Sequence, residues 1–184
     1  MLPDQETFLI RSVFGTALMA TAQRGKLYRD GSTQAARDAF REALRKALES
    51  LAVQYKNEVS PDQHCASIET LSNSLSASHK DALKCGRFRI GSAQKALNVY
   101  LKFMWCLGRI KRPPHCPFDS RVLSLIPNCK KVKWTKLDCI VEYKRVAGEA
   151  EQLAKTKRLS LAEWELKNYQ PTNESASNRL TEHY

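Results

Sequence analysis

The sequence predicts a single all-α domain, and three observations predict it. Apolar residues recur at spacings of three and four along most of the chain, as one buried helical face requires. No alternating run of β-branched residues marks a strand. Several segments open on serine, threonine or aspartate where a helix needs its first amides satisfied. At 184 residues with 42% hydrophobic and 27% charged side chains, the chain can bury one proper core. We expect the helical domain to cover residues 1–170 and a polar, disordered tail to cover 171–184, the latter rich in Asn, Ser, Thr and Glu.

A first helix is expected over residues 5–22, ending before Gly25. The second begins after Ser32 or Thr33, with Phe40, Leu44, Leu48, Leu51 and Tyr55 in one stripe and a charged face opposite. Ser60-Pro61-Asp62-Gln63 opens the third. Serine caps, proline takes the first helical position and glutamine reaches back, with Ile68, Leu71 and Leu75 inward as far as Ser78. A short basic helix over 79–85 then leads to Gly86.

From residue 93 to 107 the sequence is apolar around most of a helical circumference, and this segment is expected to be the central buried helix. Gly108 stops it, and Arg112-Pro113-Pro114-His115-Cys116-Pro117 makes a stiff connection. Asp119 opens a short helix to residue 126, and Thr135 is positioned to cap another over 136–156. Ser160 with Glu163 forms a capping box for the last, to residue 169.

Charge points to the partner. The formal net charge is +11, and residues 84–145 hold fifteen Lys and Arg against three Asp and Glu, so that this third of the chain carries the whole excess. A concentrated positive field with interleaved aromatics suits a polyanion, whose condensed counterions are released on binding. Nucleic acid, as duplex DNA, is the partner we expect. The candidate contacts are Arg87, Arg89, Gly91, Ser92, Gln94, Arg109, Lys111, Arg112, Arg121, Lys130, Lys131 and Lys133. The same charge also serves as a solvated basic face over an ordinary core.

No apolar run is long enough to span a bilayer, so no membrane partner is expected. Residues 1–6 lack the basic start and apolar core of a secretory signal, which predicts a cytoplasmic protein whose six cysteines are reduced thiols. Without a Cys-x-x-Cys pair no zinc site is expected, and no cofactor is implied. A Gly-x-Ser-x-Gly elbow, a phosphate-binding glycine loop and a His-Glu-x-x-His pair are all missing. Three carboxylates are also too few for metal-assisted phosphodiester chemistry in the basic region.

The segment Gly91-Ser92-Ala93-Gln94-Lys95-Ala96-Leu97 resembles the hairpin of helix-hairpin-helix proteins, although serine and alanine stand where that pattern has a hydrophobic residue and a second glycine. Lys95 is followed by an apolar helix, a loop and then Pro117-Phe118-Asp119-Ser120-Arg121-Val122. This order is similar to that of the helix-hairpin-helix DNA glycosylases, and most of all to their archaeal oxoguanine branch. Leu161-Ala162-Glu163-Trp164-Glu165-Leu166 resembles the tryptophan-bearing last helix of that group, so the likeness extends over about residues 80–170.

The resemblance implies a base-excision enzyme, possessing lyase activity when the nucleophile is an amine. Lys95 would attack the anomeric carbon of the sugar and form a Schiff base, while Asp119 would stabilise the positive charge on the sugar. The target base would leave the stack and enter a pocket, for which Trp105, His115, Phe118 and Trp134 are the candidates. The residues themselves leave a second reading open. Lys95 serves equally as a phosphate contact and Asp119 as a helix cap, in a non-catalytic helical subunit that binds nucleic acid or helps assemble a complex.

Overall fold

A computed structural model describes residues 2–169. The chain is all-α, a single domain with seven α-helices among the described residues: α1 (Pro3–Gly25), α2 (Gln34–Gln54), α3 (Pro61–Ser78), α4 (Ile90–Cys106), α5 (Ser120–Leu125), α6 (Ile140–Thr156) and α7 (Leu161–Asn168). Short 3-10 turns lie at Lys84–Gly86, Pro127–Cys129 and Trp134–Lys136. The expected tail from Pro171 onward lies outside the described residues. No helix among those described is long and apolar enough to cross a membrane.

The expected caps hold α2, α3 and α7 in register. Thr33 accepts a hydrogen bond from the Ala36 amide, Ser60 from Gln63 and Ser160 from Glu163, the last two as full capping boxes. The predicted stripe of α2 is buried through Phe40, Leu44 and Leu48. It faces α3 and α4, and Phe40 meets Phe88, two residues before α4, edge to face at 5.3 Å between ring centres.

α4 is the axis of the fold. Every residue from Ile90 to Leu101 is buried, and α1, α2, α3 and α6 all pack on it together with the Trp134 turn. Its far end is more open, with Phe103 and Leu107 exposed and Trp105 half-buried. Gly108 ends it at φ +69°, a conformation open to glycine at little steric cost, and its amide bonds the Trp105 carbonyl.

Three expectations are corrected. No basic helix forms over 79–85; the chain turns there, makes an isolated antiparallel bridge between Leu83 and Tyr28, and enters the 3-10 turn at Lys84. α4 starts at Ile90, three residues before the expected boundary, so Gly91 lies within the helix. α6 starts at Ile140, and Thr135 caps nothing. Burial of Trp134 and Leu137 explains the last point. It draws this segment down onto α4 as a turn, so the chain cannot begin a helix until it has left that surface.

Candidate functional site

Lys95 lies in the second turn of α4, and Asp119 caps α5 from the far side of the proline-rich loop. Lys95 Nζ donates to Asp119 Oδ2 at 2.7 Å, although 24 residues of chain separate them. The other carboxylate oxygen, Oδ1, accepts the amides of Arg121 and Val122, each at 3.0 Å. Burial by itself would raise the Asp119 carboxyl. The Lys95 charge and hydrogen bond, with those two amides, outweigh it and hold the group below its ordinary value. The lysine side chain is only 9% exposed and the aspartate 30%, so the pair is open to solvent mainly on the carboxylate side.

The residue before Lys95 sets the geometry. Gln94 is buried, and its side-chain amide clamps the backbone of Phe118 from both directions. Nε2 donates to the Phe118 carbonyl at 2.8 Å, and Oε1 accepts the Phe118 amide at 3.1 Å. Two neighbours on α4 are thereby matched to two neighbours on the loop, Gln94 to Phe118 and Lys95 to Asp119.

Two turns further along α4, on the same face, a second lysine repeats the arrangement. Lys102 Nζ donates to Glu165 Oε1 of α7 at 3.0 Å and lies 4.3 Å from the centre of the Tyr169 ring. Glu165 is 5% exposed, and among the described residues its other oxygen, Oε2, has no hydrogen-bond partner. Between α5 and α7 runs a cleft of 330 Å³ lined by Asp119, Val122, Leu125, Trp164, Glu165 and Tyr169, among others. Glu165, the aromatic residues Trp164 and Tyr169 and the lysine-paired aspartate thus line one cleft, with Glu165 Oε2 buried in its wall.

Lys102, Trp164, Glu165 and Tyr169 are the members of this site that the sequence reading did not assign to it. The signal was present: two lysines seven residues apart in an otherwise apolar helix must share a face and must both be neutralised. The expected pocket residues lie elsewhere. His115 and Phe118 are core residues around Tyr143, with His115 Nδ1 hydrogen-bonded to the Tyr143 hydroxyl at 2.9 Å and burial lowering His115 to about 4. Trp134 is buried beneath α4, and Trp105 does not line the cleft.

The expected contacts with a polyanion separate into three groups. Gly91, Ser92 and Gln94 are buried, with the Gly91 amide bonded to the Leu137 carbonyl at 2.8 Å and the Ser92 amide to Arg89, so this part of the resemblance to an amide-presenting hairpin is corrected. Four arginines have structural partners: Arg87 on Asp138 at 3.0 Å, Arg89 on the Thr135 carbonyl at 3.1 Å, Arg109 on Glu6 at 3.1 Å and Arg112 on Glu163 at 3.1 Å.

Lys111, Arg121, Lys130, Lys131 and Lys133 are exposed. The last three line a groove of 510 Å³ with Ser120 and Thr135, and among the described residues none of them has a carboxylate within 4.0 Å. Ser120 directly follows Asp119, so this cationic groove adjoins the lysine–aspartate pair.

All six cysteines are free thiols. Among the described residues no three His, Cys, Asp or Glu side chains are grouped to hold a metal ion. No family model, curated protein or solved structure matches the chain.

Proposed function

We propose that this protein is a base-excision DNA glycosylase with lyase activity, with Lys95 as its nucleophile and Asp119 as the carboxylate partner. The observation that carries the reading is the buried Lys95–Asp119 pair at the edge of a cleft with an unpartnered acceptor at Glu165 Oε2. Lys95, paired as an ammonium with Asp119, gives one proton to the base as the bond from the anomeric carbon to that base breaks; the neutral Nζ then bonds to that carbon, and the second proton it releases passes to Asp119 Oδ2. Asp119 Oδ2 stabilises the cationic sugar that develops between these events. Ring opening then leaves a Schiff base on Lys95. The extruded base enters the cleft against Trp164 and Tyr169 and directs an N–H edge at Glu165 Oε2.

Borohydride trapping tests this directly on duplexes that carry an abasic site, oxoguanine or uracil. The wild type is expected to give a covalent adduct with at least one of them. Lys95→Gln should give none, and Asp119→Asn should be slower by about a hundredfold. Absence of any adduct or strand cleavage with the wild type, while duplex binding persists, would overturn the enzyme and favour a helical DNA-binding subunit in which Asp119 only caps α5.

The groove lined by Lys130, Lys131 and Lys133, which have no carboxylate within 4.0 Å among the described residues, supports a duplex partner. Affinity for a lesion-free duplex should fall by about an order of magnitude or more between 50 and 200 mM salt. Replacing the three lysines with glutamine should flatten that dependence. A wild-type affinity constant across the range would remove the polyanion from the reading.

A further inference from the structure

Tyr100 lies five residues beyond Lys95 on α4, about 140° round the helix, and so faces away from the lysine–aspartate pair. There, with Met104, it forms part of the wall of a separate cavity of 690 Å³ between α1, α2 and the turn after α4. That volume lies within the range of about 300 to 1,000 Å³ typical of small-molecule sites. Tyr100 is 1% exposed, and its hydroxyl has no hydrogen-bond partner among the described residues. Burial pushes the phenol up to about 12, with Glu49 adding to the rise and Arg45 opposing it, so the hydroxyl keeps its proton and meets the cavity as a donor. The hydroxyl faces the cavity without a protein partner among the described residues, so an acceptor on an occupant can take the place of water there.

The remaining walls define the rest of that occupant. Ile10, Ala52 and Met104 supply apolar surface. Arg45 is satisfied by Glu42 and Glu49, at 2.6 and 2.7 Å, and Arg109 by Glu6 at 3.1 Å. Arg11 and Lys56 also line the cavity, and among the described residues neither has a carboxylate within 4.0 Å. The cavity therefore combines a buried donor, an apolar wall and two uncompensated cations.

We propose that this cavity binds a small aromatic anion, a flat ring that accepts from the Tyr100 hydroxyl and lies on Met104 and Ile10, with one phosphate or carboxylate held between Arg11 and Lys56. Such an anion is either a nucleoside monophosphate or an aryl carboxylate. The site is independent of the chemistry at Lys95, so it stands or falls apart from the glycosylase reading.

Isothermal titration of the full chain with AMP, adenosine, indole-3-acetate and inorganic phosphate tests it. Saturable binding is expected for AMP or indole-3-acetate, and the tighter of the two identifies the source. Tyr100→Phe keeps the ring and removes only the hydroxyl; it should weaken that probe about three- to tenfold. Arg11→Gln with Lys56→Gln should weaken it by about tenfold or more while leaving adenosine unchanged. Lys95→Gln should bind as the wild type does. No saturable binding of either aromatic anion up to about 10 mM, phosphate binding as tightly as AMP, or full affinity in Tyr100→Phe would each overturn the proposal.

Discussion

Replacing Gly91 with alanine is expected to destabilise the fold by about 3 kcal/mol or more, because its new methyl would strike the Trp134 backbone carbonyl. A Cβ on Gly91 would stand 1.8 Å from the Trp134 carbonyl oxygen, 2.9 Å from the carbonyl carbon and 3.2 Å from Leu137 Cβ. The turn it strikes is not free to retreat. The Gly91 amide holds the Leu137 carbonyl at 2.8 Å, Arg89 holds the Thr135 carbonyl at 3.1 Å, and the Ile90 amide donates to Asp138 at 3.3 Å. A melting temperature lower by about 6 to 12 °C is the expected reading in thermal denaturation followed by circular dichroism. Gly148→Ala is the control, since nothing lies within 4 Å of a Cβ at that position on α6; it should be neutral or stabilising by up to about 1 kcal/mol. Equal melting temperatures in the two variants would show that the turn moves freely, against the packing described.

The second large effect is an asymmetry between the partners of the central ion pair. Asp119→Ala strips the nearly buried Lys95 side chain of its counter-charge, at about 3 kcal/mol, and removes the cap of α5, at about 1 kcal/mol more. Lys95→Met should cost much less, because Asp119 keeps the Arg121 and Val122 amides and is 30% exposed. Combining Lys95→Met with Asp119→Ala should recover part of the loss, with a coupling of about 1 to 3 kcal/mol in a double-mutant cycle.

The same pair sets an acid limb. The folded Asp119 carboxyl titrates below its ordinary 3.8, so the unfolded chain takes up its proton first as pH falls. Its contribution is complete above about pH 4 and is lost as pH drops through the folded value. Asp119→Asn should therefore lose less stability than the wild type on acidification below pH 4. Superimposable acid limbs, or equal costs for the two single replacements, would contradict the pairing.

Local chemistry makes much of this fold legible in the sequence. The starts of α2, α3 and α7 are written in single side chains, Thr33, Ser60 with Gln63, and Ser160 with Glu163, because a cap acts over three residues. The stripe of α2 and the apolar run of α4 also read directly as burial. The pairing of Lys95 with Asp119 was reached through the order of motifs, and the distance of 2.7 Å now gives it a geometry.

The failures come where tertiary contact overrides local preference. Thr135 has the right side chain for a cap, but burial of Trp134 next to it dictates a turn. Gly91 looked like a flexible hairpin residue; its requirement for no side chain comes from the Trp134 carbonyl, 43 positions away in sequence. The aromatic residues expected in a pocket, Trp105, His115, Phe118 and Trp134, all come from the stretch of chain around Asp119. The ones that line the cleft come from α7, and only the folded chain brings α7 beside α5.

The clamp that Gln94 places on Phe118 separates two tasks that the chain could have merged. Lysine and aspartate meet because neighbouring positions on a rigid helix read neighbouring positions on the incoming strand of loop, much as two teeth engage two notches. The intervening residues 107–117 supply reach and need not supply alignment. Changes of length at its exposed start, residues 107–109, can therefore be absorbed while the distance between the two charged groups stays fixed, whereas buried Ile110, His115 and Cys116 tie the rest to the core. The part of the molecule best able to diverge is the part that its charged centre does not use as a ruler.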